Sequence, residues 1–275
     1  MDHATYQDAH NHLQDERLAP HRRRVIEGTR RAGITAMVVN GTSEADWPIV
    51  AELAQNEPDL ICPSFGLHPW FITSRSTTWE HTLRAHLEQP GAVLGEIGLD
   101  GWKKDLPRDG QETVFLAQWR LAVEHDVPVT VHGLKAWSWL LDVIRREPRL
   151  PRGFLLHSYS GPKEYIAPFA EQGAYFSFCS ALTRGREEKI AALYRAIPRE
   201  RLLVETDAPD QRPPEQWITH PLDSTAGEPL HHPANLPATT TLLAQLLDEN
   251  EQTLRSSLTA NFSRFFGFPA HPSLS

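Results

Sequence analysis

Eight short apolar runs alternate with longer stretches of helical spacing along the 275 residues, and this pattern predicts an α/β fold, a single (β/α)8 barrel. Three observations carry that expectation. Runs and helical stretches recur in strict alternation, the order that right-handed βα crossovers close into a barrel. Runs such as Gly-Phe-Leu-Leu at 153–156 are continuously apolar, as suits strands of a parallel sheet buried on both faces. No linker or shift of composition divides the chain, and single barrels commonly run to about 250 residues, so one domain over 1–275 is expected.

The first strand is read at Thr5–Ala9, with His10 and His12 at its exit. A basic helix over His21–Ala32 follows, and Gly33 closes it as a C-terminal cap. The second strand is Ile34–Asn40, after which Gly-Thr-Ser opens a helix to about Asn56. The third strand, Leu60–Gly66, exits into Leu67-His68-Pro69-Trp70-Phe71. A helix over Trp79–Glu88 leads to the fourth strand, Ala92–Ile97, which exits into Gly98-Leu99-Asp100-Gly101-Trp102. The helix from about Gln111 to His125 places Phe115, Leu116, Trp119 and Val123 at helical spacing. Then come a fifth strand, Val127–His132, a helix over Ala136–Arg146, a sixth strand, Gly153–His157, and a helix over Lys163–Gln172. A seventh strand, Ala174–Ser180, a helix over Arg186–Ala196 and an eighth strand, Arg201–Asp207, complete the alternation. Residues 208–236 are rich in Pro and His and aperiodic, and loops this long are functional or disordered. Helices at Ala238–Asp248 and Gln252–Phe266 close the chain.

Hydrophobic residues at 40% and charged residues at 23% describe an ordinary globular chain. The net charge of −8 argues against the broad, salt-driven coating of nucleic acid that needs a basic face. A phosphate at one local site is still admitted, because bound divalent cations reverse the local field. Cys62 and Cys179 fall in apolar runs without a Cys-x-x-Cys, so buried free thiols in a reducing compartment are expected. The opening Met-Asp-His-Ala-Thr carries no basic or apolar signal region. No apolar run reaches the ~18 residues of a membrane span. A cytoplasmic protein with no membrane partner is expected, a monomer being favoured.

The polar residues at the strand exits carry the functional argument. His10 and His12 are two apart, so on a strand both imidazoles face the same side. Glu96 lies in the fourth strand, His132 ends the fifth, His157 ends the sixth and Asp207 ends the eighth. A barrel gathers these strand ends on one rim. Burying six ionisable side chains unpaired there is prohibitive, and coordination to metal removes the cost. Two divalent cations fit the number of ligands: His10, His12 and Asp207 on one, His132 and His157 on the other, with Glu96 bridging. Nitrogen and oxygen ligands without thiolate suit Zn, Mn or Mg. Two such ions activate a water and stabilise both oxygens of a displacement, and Asp207 can accept the proton of that water.

With these positions in view, the chain resembles the TatD-related metal-dependent hydrolases, a TIM-barrel branch of the amidohydrolase superfamily. The resemblance spans essentially the whole chain. It rests on Asp8-Ala-His-Asn-His-Leu13, Gly66-Leu-His-Pro69, Gly95-Glu-Ile-Gly-Leu-Asp100, Pro128-Val-Thr-Val-His132, His157-Ser-Tyr-Ser-Gly161, Glu205-Thr-Asp-Ala-Pro209 and Pro233-Ala-Asn-Leu-Pro237. It implies a dinuclear divalent-metal site on His10, His12, Glu96, His132, His157 and Asp207, and hydrolase activity, with deoxyribonuclease action in some members. Three departures fall in loops that would face substrate. Gly101 intervenes before Trp102, Lys135 stands where the family often carries arginine, and Leu230-His-His-Pro233 replaces Arg-Asn-Glu-Pro.

Around that rim, His68, Lys135, Arg184 and Trp102 are candidate substrate contacts. His68 either meets a substrate phosphate or packs under Trp70. Lys103, Lys104 and Arg186 read first as solvated surface charges. Trp70, Trp102, Trp137 and Trp139 either stack unpaired bases or fill space over the barrel. The expected activity is hydrolysis of a phosphodiester, possible substrates including DNA or its ends. The alternatives are a non-phosphate ester, amide or lactone on the same site, or a non-catalytic scaffold that retains it.

Overall fold

The computed structural model describes residues 4–223 and 229–268. The extreme termini and residues 224–228 of the long loop lie outside the described residues. Eight parallel strands form one sheet in sequence order. They are β1 (Tyr6–Asn11), β2 (Ile34–Asn40), β3 (Ile61–Phe65), β4 (Val93–Asp100), β5 (Val129–Leu134), β6 (Phe154–Leu156), β7 (Ala174–Phe178) and β8 (Leu202–Val204). Between them run α1 (Arg22–Arg31), α2 (Trp47–Asn56), α3 (Trp79–Leu87), α4 (Arg108–His125), α5 (Trp137–Ile144), α6 (Ile166–Glu171) and α7 (Glu187–Tyr194). Beyond β8 come a two-residue antiparallel pair, β9 (Pro221–Leu222) with β10 (Leu230–His231), then α8 (Leu236–Leu247) and α9 (Glu251–Phe266). The expected (β/α)8 alternation is the observed one.

The barrel meets itself just past the end of β8. Asp207 N donates to His10 O at 2.9 Å, and His12 N donates to Ala208 O at 2.7 Å. Asp8 strengthens this seam with its side chain. Its Oδ1 accepts from Thr206 N at 2.9 Å and its Oδ2 from Thr206 Oγ1 at 2.6 Å. The same seam therefore fixes the relative position of the first and last strand exits.

Core packing separates the two ends of the barrel. The larger apolar cluster lies between the strands and the surrounding helices, with Met37, Val39, Phe65, Leu94, Trp119 and Phe176 among its buried members. A second cluster joins Ala36, Val38, Cys62, Val93, Leu155, Tyr175 and Leu203 to Phe262, Phe265 and Phe266 of α9. Helix α9 is tied to the strand starts: Asn261 Nδ2 donates to Leu202 O at 2.9 Å, and Thr259 Oγ1 to Gln7 Oε1 at 2.7 Å. It plugs the N-terminal mouth and leaves the opposite mouth for polar groups. Cys62 and Cys179 are free and buried. No helix among the described residues is long and apolar enough to cross a membrane.

Several strand boundaries differ from expectation, those of β4, β6 and β8 most. Strand β4 continues to Asp100, where the sequence reading stops at Ile97. It stays paired with β5 through Gly98↔His132, Leu99↔Gly133 and Asp100↔Leu134. Gly98, expected as the first residue past the strand, lies within it and serves close approach, since a Cβ there would lie 2.1 Å from His132 O. Strands β6 and β8 keep only three residues each, so His157 and Asp207 stand on the loops that follow them. The described residues of the aperiodic loop are tied together by side-chain hydrogen bonds. The Asn235 side chain accepts from Thr219 N at 2.9 Å and His220 N at 2.7 Å, and donates to His220 O at 3.1 Å.

Candidate metal centre

Four side chains from three strand exits bring single atoms together at the open mouth. His10 Nε2 lies 3.2 Å from His12 Nε2, 3.3 Å from Asp207 Oδ1 and 3.5 Å from Glu96 Oε2. His12 Nε2 lies 3.3 Å from Asp207 Oδ1 and 3.4 Å from Glu96 Oε2. A tetrahedral ion with ligand bonds of about 2.0–2.2 Å has ligand–ligand edges of about 3.3–3.6 Å. The five separations match those edges, so this set could hold a divalent cation.

The other oxygen of Glu96 faces a second group. Its Oε1 lies 2.8 Å from His157 Nε2, 3.2 Å from His132 Nδ1 and 3.5 Å from His68 Nε2. At His12, His132 and His68 a hydrogen bond at the far side of the ring decides which nitrogen carries a lone pair in the neutral form. His12 Nδ1 sits 2.8 Å from the Asn40 carbonyl, which can only accept, so Nδ1 carries the hydrogen and Nε2 is left bare. His132 Nε2 lies 3.1 Å from Asp100 Oδ2, which leaves Nδ1 bare toward Glu96. His68 is the reverse. Its Nδ1 accepts from Trp70 N at 3.2 Å, so the hydrogen is on Nε2 and points at Glu96. His68 is arranged as a donor and not as a ligand, although its position would bring it within reach of an ion.

Electrostatics tell the same story. Burial pushes the His12 imidazolium down, but Asp207 and Glu96 outweigh it and hold its pKa up at about 9. Burial likewise opposes charge on His132 and His157, and Asp100 with Glu96, or Glu96 with Glu205, raises each above the ordinary value. Burial opposes the Glu96 and Asp207 carboxylates too, yet the facing histidines drive both well below the usual range. His68 differs again: burial dominates, and its pKa falls to about 4. A cation would compete with protons for these groups, since a bare imidazole nitrogen can serve the one or the other but not both.

Neighbouring residues position these groups. Gln211 Nε2 donates to Asp207 Oδ2 at 2.6 Å and to Ser158 Oγ at 2.8 Å, which turns Asp207 Oδ1 toward the histidines. Asp100 Oδ2 accepts from Trp70 Nε1 at 2.7 Å as well as facing His132, and its Oδ1 accepts from Trp102 N at 2.7 Å and Lys103 N at 3.0 Å. Glu205 is buried, accepts from Ser158 Oγ at 2.6 Å and from Ser177 Oγ, and lies 3.6 Å from His157 Nδ1. Asp8 lies under the centre, where burial together with the nearby Glu205 raises its pKa to about 7 against the hydrogen bonds of Thr206.

These groups floor a cleft of about 460 Å³. Its wall carries five carboxylates, Asp15, Asp46, Glu96, Asp207 and Asp210, and one guanidinium, Arg17. Arg17 is already held by Asp15 and Asp210, at 2.7 Å from an oxygen of each. Of the candidate substrate residues, His68 lines the cleft, while Lys135, Arg184 and Trp102 stand outside its wall. Lys135 is exposed on the turn after β5. Arg184 points to the Arg212 carbonyl, 2.5 Å away. Trp102 is 52% exposed at the rim. Trp137 packs on Tyr159 and Trp139 Nε1 donates to Glu112 at 2.7 Å, so both fill space. Sequence reasoning quotes Asp100 in a motif without giving it work, although it lies four residues past Glu96 on the same strand. It passes over Gln211 altogether, for an isolated Gln in an aperiodic loop carries no signal.

Comparison with known proteins agrees with this geometry. The profile of the TatD related DNase family matches residues 7–267. A 3'-5' ssDNA/RNA exonuclease TatD of Pantoea vagans is 31% identical over 210 residues, covering 73% of this chain and 80% of the relative. The metal-dependent hydrolase YabD of Bacillus subtilis is 28% identical over 263 residues, covering 94% and 98%. In structure, the TatD homologue YjjV of Escherichia coli superposes with a TM-score of 0.86 at 24% identity, over 97% of this chain and 99% of the other, which establishes the shared barrel. The sequence match over nearly the whole chain and the clustered His, Glu and Asp atoms lead to one conclusion: the chain belongs to the TatD-related DNase family and is a metal-dependent hydrolase of ester bonds.

Proposed function

We propose that the chain hydrolyses phosphodiesters of single-stranded nucleic acid from an end, with two divalent cations at the centre. The carrying observation is the division of Glu96. One oxygen faces His10, His12 and the Asp207 side, and the other faces His132 and His157. A carboxylate so placed suits a bridge between two ions, which when bound would supply Lewis-acid charge and a water of lowered pKa. Zn, Mn and Mg all suit the donor set. The chain's own residues do the rest. Asp207, with Oδ2 held by Gln211, offers Oδ1 as the acceptor for the proton of the attacking water. Neutral His68 directs its Nε2 hydrogen toward the space beside Glu96, where it would donate to a substrate oxygen. The net charge of −8 leaves no general grip on a duplex, so a chain end is the favoured substrate. The name of the Pantoea relative supports the same substrate class.

One observation favours a second reading. The cleft wall has one guanidinium, and two aspartates already hold it. An ester, amide or lactone needs no additional cation on the protein side. The deciding experiment assays protein loaded with Zn, Mn or Mg on single-stranded DNA, RNA and dinucleotides, and in parallel on lactones and carboxylic esters, with His132→Ala as control. Turnover of the phosphodiesters that His132→Ala abolishes is the expected result. Turnover confined to carbonyl substrates would replace the first reading by the second.

A further inference from the structure

Among the described residues the exposed large apolar side chains are Trp70, Phe71 and Trp102, at 37%, 38% and 52% exposure. All three stand at the mouth of the metal centre. Trp70 and Phe71 line the cleft. Trp102 is joined to Trp70 through one buried carboxylate, since Asp100 accepts Trp102 N on Oδ1 and Trp70 Nε1 on Oδ2, each at 2.7 Å. That carboxylate also faces His132 Nε2, so the aromatic rim and a candidate metal ligand share one anchor. The Trp70 ring centroid lies 6.3 Å from that of His132, within the span of a single nucleotide from phosphate to base. Lys103 Nζ sits 4.5 Å over the same indole and carries positive charge to the rim.

Exposed aromatic surface is costly to keep in water and marks a binding surface when it borders a polar cleft. An indole held by a hydrogen bond from its own N–H is preorganised, so little ordering cost remains when a flat partner lands on it. Every nucleobase presents a π-face, and stacking of this kind tolerates any sequence. We propose that Trp70, Phe71 and Trp102 form a stacking subsite for the nucleobase attached to the phosphodiester at the metal centre. The proposal rests on the phosphodiester reading above. Lys103, which sits over the Trp70 face, would yield that face to the base and turn its charge toward the phosphate of the stacked nucleotide.

Calorimetric titration tests the subsite without any turnover. Metal-loaded wild-type protein is titrated with thymidine 5'-monophosphate and with 2-deoxyribose 5-phosphate, which differ only by the base. A stacked base is worth about five- to 150-fold in affinity, so the nucleotide should bind at least fivefold tighter. The Phe71→Ala/Trp102→Ala double variant removes exposed side chains, and its thermal midpoint serves as the check on folding. Its nucleotide affinity should fall at least fivefold while its sugar-phosphate affinity changes less than twofold. Equal wild-type affinities for the two ligands, or parallel losses in the variant, would overturn the subsite. Base-dependent binding by a protein that cleaves no phosphodiester would uphold the subsite and sink the catalytic reading. Cleavage without base dependence would do the opposite.

Discussion

Asp100→Asn is the sharpest probe of how the centre is built. Four N–H groups converge on the Asp100 carboxylate: Trp70 Nε1 at 2.7 Å, Trp102 N at 2.7 Å, Lys103 N at 3.0 Å and His132 Nε2 at 3.1 Å. An amide has one oxygen, so two of these donors would face an NH2 group in its place. With the oxygen kept on the two backbone donors, Trp70 and His132 lose their acceptor. Each hydrogen bond to a charged group is worth about 1.5–3 kcal/mol, of which relaxation recovers a part. For metal binding, losing the outer partner of a ligating histidine costs about 10–100-fold in affinity, or about 1.4–2.7 kcal/mol. Asp100 also favours the proton that a cation must displace from His132, so the loss is best read at alkaline pH. The assay is calorimetric titration of metal-stripped protein with Zn. One binding event should weaken 10–100-fold, while the event on the His10 and His12 side shifts less than threefold. Two unchanged events, in a variant that melts within a few degrees of wild type, would refute the reasoning.

Further outcomes follow from the same contacts. Gln211→Leu frees Asp207 Oδ2, and kcat should fall about tenfold with KM little changed; an unaltered kcat would remove Gln211 from the positioning of Asp207. Gly98→Ala sets a Cβ 2.1 Å from His132 O and 2.7 Å from His132 Cβ, so urea unfolding should show a loss of about 1–3 kcal/mol or more. A wild-type midpoint in that variant would contradict the close approach of β4 and β5. Burial lowers His231 to about 4 against the pull of the Asp210 carbonyl, and lowers His232 to about 4 with His220, Arg24 and Arg31 adding to the effect. Unfolding lets both take protons below pH 6.5, so their contribution is whole above that value and is lost as pH falls toward 4. A displacement of that size is worth at most about 3 kcal/mol per group. Their share of the melting-temperature profile should therefore be flat from pH 8 to 6.5 and fall below it, beside the separate changes that His12 brings above pH 6.5 and Asp8 brings below about pH 7. His232→Asn, which keeps an acceptor for Ala234 N, should flatten the drop, and an identical slope would count against the assignment.

The candidate ligands were legible because strand position and residue type coincide. A charged side chain that ends an apolar run of a parallel barrel must arrive at one rim, and there it needs a partner. His10, His12, His132, His157 and Asp207 satisfy that rule, Glu96 stands within β4, and all six meet in the structure. Lys135 and Arg184 satisfied only the coarser rule of lying after a strand. A loop residue's direction depends on local backbone, which turned Lys135 outward and sent Arg184 to the Arg212 carbonyl. The expected end of β4 before Gly98 has a related cause: a glycine interrupts an apolar run and permits a close approach alike, and only the neighbouring strand tells the two apart.

Alternation of apolar runs and helices determined the barrel, and residue type at the run ends determined which side chains could serve a cation. Both are properties of the covalent order, since hydrophobic period and chain direction suffice to set them. Tertiary structure alone decided which nitrogen of the His12, His132 and His68 rings is bare. It set His68 apart as a donor, recruited Asp100 and Gln211, and left Trp70, Phe71 and Trp102 at the mouth. The bare nitrogens of His12 and His132 and the anchoring of Trp70 depend on hydrogen bonds across 28, 32 and 30 positions, distances that no local pattern encodes, while the near-neighbour bonds of His68 to Trp70 N and of Gln211 to Asp207 acquire their meaning only from where the fold sets Glu96 and the histidines.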